Sequence, residues 1–525
     1  MTKAGPSECS YEVCGRKVFW PPNYTPQPNE KPFCIFHSPL IEQKKEAFRF
    51  AWQIYLDQYK NEKGEYQNLF CWGFKFPEEI KFNNKTFNGD ASFTKATFNK
   101  GAQFIQAVFL GDAWFADAIF KEDAWFIEAE LRGTAGFYRT NFIGNSSFNS
   151  ATFQGDAGFR TAVFGKFSSF RWASFHAHGD FDRTQWHGGA DFFHAKFKDA
   201  SLDFIGGKYK DENNQEQDTR LFEGDNEIAF DHVNFREAKR VRFEHVDLSR
   251  ASFLMSQIEN IDFINVRWNG PERYKIYDER KWRERRVKSE IEEKGEVNQS
   301  SADSPTSAAP SEDAVGAGLK PAPTPAADEN AGRYPNLPYK VWTVGRDWIR
   351  AWVKSISEEF RLLRRTDKDE LKEIENLYHQ LILNYDRRRD YETGGEFYVR
   401  ENEVRRIRKG WRGYFFEGIY WLTSEYGQRW FLPLLWTTLA LITFSPIFSP
   451  NDKFYQGPMG WGLNWLSEIT WPAFSSNVAV LLGIQRLADA IKPTSWDLFL
   501  ISVERILIFY LISMFLLAVR RRFRR

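Results

Sequence analysis

The chain has 525 residues, enough for about three or four domains of ordinary size. Its charge is nearly balanced, with 71 Lys and Arg against 70 Asp and Glu, which argues against a general nucleic-acid binder with its basic excess. Aromatic residues make up 17% of the chain and include 50 phenylalanines, which indicates a repetitive structure that requires them. No apolar run follows Met1, so we expect no secretory signal peptide.

Three cysteines and one histidine near the N-terminus have the spacing of a zinc-binding module. Cys9, Cys14, Cys34 and His37 form two close pairs separated by a proline-rich interval. Three thiolates and one imidazole make a closed tetrahedral set of zinc ligands, which leaves no open position for catalysis. We therefore predict structural zinc within residues 1–40, in a reducing compartment, with free thiols beside an unrelated histidine as the alternative.

A large apolar residue recurs from Phe93 to Phe197 in alternating steps of five and six residues, and a small residue, most often Ala, stands two positions before each. This spacing fits neither an α-helix nor a simple β alternation. It predicts a coil that turns one large and one small side chain inward on each face, and stacked coils would bury a continuous core. The predicted core positions are Phe93, Phe98, Phe104, Phe109, Phe115, Phe120, Phe126, Leu131, Phe137, Phe142, Phe148, Phe153, Phe159, Phe164, Phe170, Phe175, Phe181, Trp186, Phe192 and Phe197.

With this pattern the sequence resembles the pentapeptide-repeat family, whose fold is a four-sided right-handed β-helix. The resemblance implies a β-helix over residues 81–268 in which two units of five plus six residues make one coil, preceded by a helical cap at 41–80. Residues 205–227 are expected to form a loop inserted into the solenoid. Some members of the family imitate DNA through a strongly acidic surface, but acidic and basic residues are equal in number between residues 81 and 204. We therefore expect a protein partner. Neither nucleic acid nor a protein that would bind a DNA-like surface is expected.

The composition changes sharply after the repeats. Residues 269–296 are dense in Arg, Lys and Glu and are predicted to form an exposed charged helix, whereas 297–334 are predicted to be a disordered linker. Helical periodicity in 335–429 predicts a juxtamembrane helical domain. Its segment 377–406 resembles the helical segment that follows the repeats in bacterial membrane-bound pentapeptide-repeat proteins.

Two apolar runs, 430–448 and 496–519, are each long enough to span a bilayer, so residues 430–525 are predicted to form a transmembrane hairpin. Glu504 and Arg505 interrupt the second run and are functional candidates, with an interfacial ion pair as the alternative. Arginines precede the first run, and five more follow the second: Arg520, Arg521, Arg522, Arg524 and Arg525. This distribution predicts a two-pass protein of the cytoplasmic (inner) membrane with both termini in the cytoplasm.

The loop between the two runs contains a short apolar segment, 473–484, with the length of a re-entrant or interfacial helix. Span, short helix and span together resemble the two-helix arrangement of ion channels, although NVAVLLGIQRLADAIKP lacks a Thr-Val-Gly-Tyr-Gly type filter. No motif of a known enzyme active site is present. Two functions remain: a non-enzymatic membrane-anchored scaffold or regulator whose β-helix binds a protein partner, or a homo-oligomeric pore gated by its cytoplasmic domains.

Overall fold

The architecture is taken from a computed structural model of the chain. The structure describes residues 9–11, 14–19, 31–210, 216–219, 221–222, 226–268, 275–286, 288, 368–448, 471–482 and 495–523. The chain divides into two compact units, one formed by residues 1–280 with 367–525 and the other by 281–366. The described part of the second unit, residues 281–286 and 288, is helical. The predicted linker at 297–334 lies outside the described residues.

Short strands, most of them only two residues long, follow one another at the five- and six-residue steps of the sequence pattern. In chain order they are β1 (Leu69–Phe70), β2 (Lys75–Phe76), β3 (Ile80–Lys81), β4 (Thr86–Phe87), β5 (Ala91–Ser92), β6 (Thr97–Phe98), β7 (Ala102–Gln103), β8 (Val108–Phe109), β9 (Ala113–Trp114), β10 (Ile119–Phe120), β11 (Ala124–Trp125), β12 (Glu130–Leu131), β13 (Ala135–Gly136), β14 (Asn141–Phe142), β15 (Ser146–Ser147), β16 (Thr152–Phe153), β17 (Ala157–Gly158), β18 (Val163–Phe164), β19 (Ser168–Ser169), β20 (Ser174–Phe175), β21 (His178–Asp180), β22 (Gln185–Trp186), β23 (Ala190–Asp191), β24 (Ser201–Ile205), β25 (Gly207–Lys210), β26 (Glu216–Thr219), β27 (Ile228–Ala229), β28 (Arg240–Glu244), β29 (Ala251–Ser252) and β30 (Ile261–Ile264).

All of these strands except β25 and β26 stack into four parallel sheets, one on each face of a solenoid. The sheets run β1-β5-β9-β13-β17-β21-β24-β28-β30, β2-β6-β10-β14-β18-β22, β29-β27-β23-β19-β15-β11-β7-β3 and β20-β16-β12-β8-β4. Every fourth strand pairs because the chain returns to the same face after two repeat units, so that Phe120 lies beside Phe142 and Ala113 beside Ala135. The predicted pentapeptide-repeat β-solenoid is confirmed.

Stacked phenylalanine rings fill the interior of the solenoid. Each of the predicted core positions from Phe93 to Phe197 is at most 1% exposed. Rings on successive coils stack almost parallel, as for Phe87 and Phe109, whose centroids lie 4.4 Å apart. Small residues such as Ala113 and Ala135 occupy the other inward positions, because two large side chains per face would not fit within one coil.

A left-handed backbone residue turns the corner once in every 11-residue unit. Lys95 is representative: it has φ 58° and lies in a tight turn closed by the Ala96 amide, which donates to the Phe93 carbonyl at 3.0 Å. A positive φ at the third position, as type II turns require, favours Gly or Asn there. The equivalent residues are Asn84, Gln106, Asp117, Glu128, Arg139, Ser150, Thr161, Trp172, Arg183 and His194.

Thr161→Asn is expected to raise the free energy of unfolding by about 1 kcal/mol. Thr161 has φ 57°, and a β-branched side chain is poorly accommodated there, whereas Asn tolerates this region of the backbone. Urea denaturation of the purified protein measures the change. The matched control is Thr97→Asn in the extended strand β6, where Asn is the poorer residue and no gain is expected. Equal effects at the two positions would refute the conformational explanation.

The solenoid begins earlier than residue 81, where the sequence pattern placed its start. Cys71 and Phe76 are fully buried and continue the five- and six-residue steps in the N-terminal direction. The first coil departs from the small-residue pattern, because the positions two residues before its inward side chains hold Leu69, Phe74 and Ile80. The region 41–80 therefore contains both helix α1 (Lys45–Gln58) and the first strands.

The insertion expected at 205–227 contains an antiparallel hairpin. Strands β25 and β26 pair from Gly207 with Thr219 to Lys210 with Glu216. The solenoid continues beyond it, because Phe222 forms a parallel bridge with Trp186 and Ile228 pairs with Ala190. The predicted loop is thus a side branch that leaves the stack of coils intact.

Helices follow the solenoid in the described part of the first unit, and two stretches there are long and apolar enough to cross a membrane. These stretches are Phe431–Phe448 and Leu498–Arg520, of which only 33% and 22% are buried, so most of their apolar surface faces outward. Both agree closely with the predicted runs. The helices are α2 (Lys368–Arg387), α3 (Tyr391–Lys409), α4 (Trp411–Ser424), α5 (Phe431–Phe444), continued by a 3-10 turn (Ser445–Phe448), α6 (Trp471–Leu481) and α7 (Ser495–Phe523).

Candidate functional site

The four predicted metal ligands converge at the N-terminal end of the solenoid. Their ligand atoms all lie within 4.8 Å of one another. Cys34 Sγ lies 3.3 Å from His37 Nδ1, Cys9 Sγ lies 3.5 Å from the same nitrogen, and Cys14 Sγ lies 3.7 Å from Cys34 Sγ. Zinc–sulfur bonds of about 2.3 Å and zinc–nitrogen bonds of about 2.0 Å in a tetrahedron require edges of roughly 3.5–3.8 Å. These three distances therefore match a tetrahedral metal site, and the longest separation in the set, up to 4.8 Å, would shorten around a bound ion.

The surroundings of His37 prepare Nδ1 to bind a metal. Nε2 of His37 lies 2.9 Å from the Trp72 carbonyl oxygen, which accepts the ring proton and leaves the lone pair on Nδ1. Burial lowers the pKa of His37 to about 4, so the imidazole is neutral near pH 7. Burial also raises the pKa of the Cys34 thiol to about 12, so its thiolate needs a nearby cation.

Lys44 holds the turn that carries Cys34 and His37. Its ammonium group is fully buried and donates to the carbonyl oxygens of Ile35 at 3.0 Å and Ser38 at 2.9 Å. Burial lowers the pKa of Lys44 to about 7. Ile35 lies between the two ligands and Ser38 directly follows His37, so Lys44 positions the turn without contacting the ligand atoms described above.

The same segment covers the open N-terminal edge of the solenoid. The Phe36 carbonyl accepts a hydrogen bond from the Lys75 amide at 2.7 Å, as a preceding coil would. Phe36 stacks on Phe74, and Trp52 of α1 packs against Phe76. Unpaired strand edges favour aggregation, so a cover at this end protects the stack.

Helix α2 covers the opposite end of the solenoid with polar side chains. Gln380 Oε1 accepts from the Ile258 amide at 2.6 Å, and Gln380 Nε2 donates to the Ser256 carbonyl at 3.2 Å. Asn384 Nδ2 donates to the Glu259 carbonyl at 3.2 Å. These two side chains replace the backbone partners that a further coil would supply. We call Gln380 and Asn384 the cap pair.

The charged stretch that was predicted to be an exposed helix also reaches this end, and its first turn is buried. Asp278 accepts hydrogen bonds from Ser252 Oγ at 2.6 Å and from the Phe253 amide at 3.1 Å. Glu279 is fully buried and accepts from the Tyr378 hydroxyl at 2.5 Å. The prediction of exposure was wrong here because these carboxylates satisfy buried donors of the last coil and of α2.

Helix α6 lies against both candidate spans. Asn477 of α6 donates to the Leu441 carbonyl of α5 at 3.2 Å and to Glu504 Oε1 of α7 at 2.7 Å. Both Asn477 and Glu504 are fully buried. Arg505, the neighbour of Glu504, is partly buried, and its terminal nitrogens have no hydrogen-bond partner within the described residues.

Several predicted features fall at the margin of the described chain. Arg520 ends the second candidate span, and α7 continues through Arg521 and Arg522. Arg524, Arg525 and residues 483–494, with the only glycine of the filter-like stretch, lie outside the described residues.

Sequence reasoning missed the cap pair and Asn477. Gln380 and Asn384 lie four residues apart, on the face of α2 that also buries Leu377 and Leu381. Polar residues at helical spacing within an apolar stripe were the available signal.

In a comparison with known protein families, residues 82–130 match the family described as Pentapeptide repeats (9 copies). The match starts at Phe82 and stops just before Leu131, whereas the same coil geometry continues in the structure to β30. The solenoid is therefore a pentapeptide-repeat fold over a longer stretch than the matched residues. No curated protein and no solved structure matches the chain.

Proposed function

We propose that the chain is a non-enzymatic scaffold or regulator, anchored in the cytoplasmic membrane, whose solenoid binds a protein partner. The observation that carries this proposal is the cap pair. Through it the last coil of the solenoid is hydrogen-bonded to α2, and α2 leads through α3 and α4 directly to the first candidate span. The solenoid, which carries the proposed binding surface, is therefore attached to the first candidate span through packed helices.

The outer faces suit a protein partner because their charges cancel locally. Charged residues pair between neighbouring coils, as for Arg139 with Asp117 at 2.6 Å and Lys100 with Glu122 at 2.7 Å. Trp172 is 47% exposed and contacts both the Arg171 guanidinium and the Phe193 ring. Aromatic side chains and arginine are the residue types that dominate the binding energy of protein interfaces. We infer that the partner binds the solenoid surface around Trp172, Arg171 and Phe193.

The N-terminal cluster of the proposed scaffold holds structural zinc. The donor set of three thiolates and one imidazole suits Zn²⁺, and four protein ligands leave no position for substrate. Reduced thiols require a reducing compartment, which agrees with a cytoplasmic N-terminus. Arginines before the first span and after the second put both termini on that side.

Cleavage of the chain within 297–334, at an inserted protease site, tests the anchor. We expect the solenoid fragment to stay in the membrane pellet after a salt wash, because the cap pair holds it on α2. The double variant Gln380→Ala and Asn384→Ala should release most of that fragment, since each substitution leaves buried backbone groups unpaired. Asn376→Ala on the exposed face of α2 is the control and should release none. Release of the wild-type fragment on cleavage would contradict the proposal.

Cross-linking of the full-length chain in its native membranes tests the partner surface. We expect one protein to be cross-linked in a saturable manner, and Trp172→Ala to abolish most of that product. Phe167→Ala, a second exposed aromatic residue outside the Arg171 cluster, is the matched control. Equal products from wild type and Trp172→Ala would exclude this face as the binding surface.

The second candidate, an oligomeric pore, is favoured by the packing of α6 against both candidate spans through Asn477. A short helix held between two spans is the layout that the sequence shares with ion channels. Planar-bilayer recording of purified protein separates the two functions. A monodisperse monomer without conductance supports the scaffold, and a conductance lost on deletion of 471–482 supports the pore.

A further inference from the structure

A buried polar pair lies where α5, α6 and α7 meet. Asn477 Nδ2 donates one hydrogen to the Leu441 carbonyl and the other to Glu504 Oε1. Because a carbonyl oxygen only accepts, Leu441 determines which end of the Asn477 amide is nitrogen. The orientation of the amide therefore follows from its contacts.

Two oxygen atoms of this pair have no hydrogen-bond partner among the residues that the structure describes. They are Asn477 Oδ1 and Glu504 Oε2, both buried. Each is an acceptor as long as Glu504 is ionised, so neither can satisfy the other. A proton on Glu504 Oε2 converts that oxygen into a donor, and Asn477 Oδ1 is the acceptor on the same amide that already binds Oε1.

We propose that Glu504 is a proton-binding site. The bound proton lies on Oε2 and is donated to Asn477 Oδ1, so that acid and amide form a pair with two hydrogen bonds. The proton thus adds a second hydrogen bond between the loop helix α6 and the second candidate span. The inference goes beyond the proposed scaffold and uses the proposed membrane insertion only for the apolar surroundings.

The groups around Glu504 favour the neutral acid. Helices α5 and α6 contain no ionisable side chain, and Ile447, Phe448 and Ile501 form an apolar cluster beside the pair. Within the described part of the chain, the charged neighbour is Arg505 on α7, which favours the ionised form of Glu504. Its terminal nitrogens make no hydrogen bond to Glu504 among the described contacts. A buried carboxylate without full hydrogen bonding is strongly disfavoured, whereas the acid–amide pair has every polar atom satisfied.

Infrared spectroscopy of the full chain in lipid nanodiscs tests the proton directly. We expect a carbonyl stretching band of a protonated carboxylic acid at neutral pH, and its loss in Glu504→Gln. Glu392→Gln, an exposed acid on α3, is the control and should keep the band. A band that persists in Glu504→Gln, or is missing from wild type, would overturn the proposal.

Hydrogen exchange of α6 tests the consequence. In wild type, exchange should be slow at neutral pH. Once Glu504 ionises at alkaline pH, exchange should become faster than the intrinsic effect of pH explains. Glu504→Gln supplies an amide donor in place of the acid and should keep exchange slow at both neutral and alkaline pH. Glu504→Ala should exchange fast at both. Fast exchange in Glu504→Gln would contradict the two-bond pair. A chain that fails to float with lipid vesicles would instead contradict the membrane insertion.

Discussion

Phe148→Ala is expected to lower the free energy of unfolding by about 3–5 kcal/mol. Phe148 is fully buried in the middle of the solenoid and stacks on Phe126 at 5.0 Å and on Phe170 at 4.8 Å. The cavity left by the ring would persist, because the hydrogen bonds between coils fix the backbone spacing on every face. Neighbouring coils therefore have little freedom to collapse into it.

The control for this substitution is Phe167→Ala, which removes the same side chain from a site that is 46% exposed. Its expected loss is about 0.5 kcal/mol or less. Urea denaturation followed by circular dichroism measures both variants. Because each coil contacts only its neighbours, Phe148→Ala should also split the unfolding transition into steps. A similar loss in both variants would mean that the phenylalanine stack is not the main source of stability.

The sequence predicts the solenoid well because one residue pattern repeats with little variation. Each unit places a large side chain inward at a spacing that no helix or simple strand matches. The first coil escaped prediction because Phe74 and Ile80 replace the small residues of the pattern and Cys71 replaces a phenylalanine. The structure identifies them through their burial, which depends on contacts with α1 and the second coil.

The ends of the solenoid and the centre of the hairpin could be predicted only in part. The spacing of Cys34 and His37 indicates a shared ligand set, because local turns bring such residues together. Gln380 and Asn384 meet backbone groups more than a hundred residues away, and no local pattern indicates that pairing. The sequence alone marks Glu504 as unusual, because it interrupts an apolar run. Its partner Asn477 becomes evident only when three helices are packed.

His37→Ala is expected to remove the zinc and to open the N-terminal end of the solenoid. Wild type should contain about one zinc per chain by elemental analysis, and the variant almost none. Structural zinc contributes about 10–16 kcal/mol to small zinc-binding modules, so the turn between Cys34 and Lys44 should unfold without it. That turn pairs with Lys75 through the Phe36 carbonyl, and its loss exposes an unpaired strand edge.

Hydrogen exchange distinguishes this local opening from global unfolding. Amides of β1 to β3 should lose protection in His37→Ala, whereas those of β12 to β18 should keep it, because each coil depends on its nearest neighbours. Cys71→Ala is the matched control: this cysteine is buried in the first coil but is not among the four clustered ligands. It should weaken the first coil and retain the zinc. Zinc lost from Cys71→Ala but kept by His37→Ala would show that the ligand set is wrong. Equal loss of protection along the solenoid would show that the metal does more than cover its end.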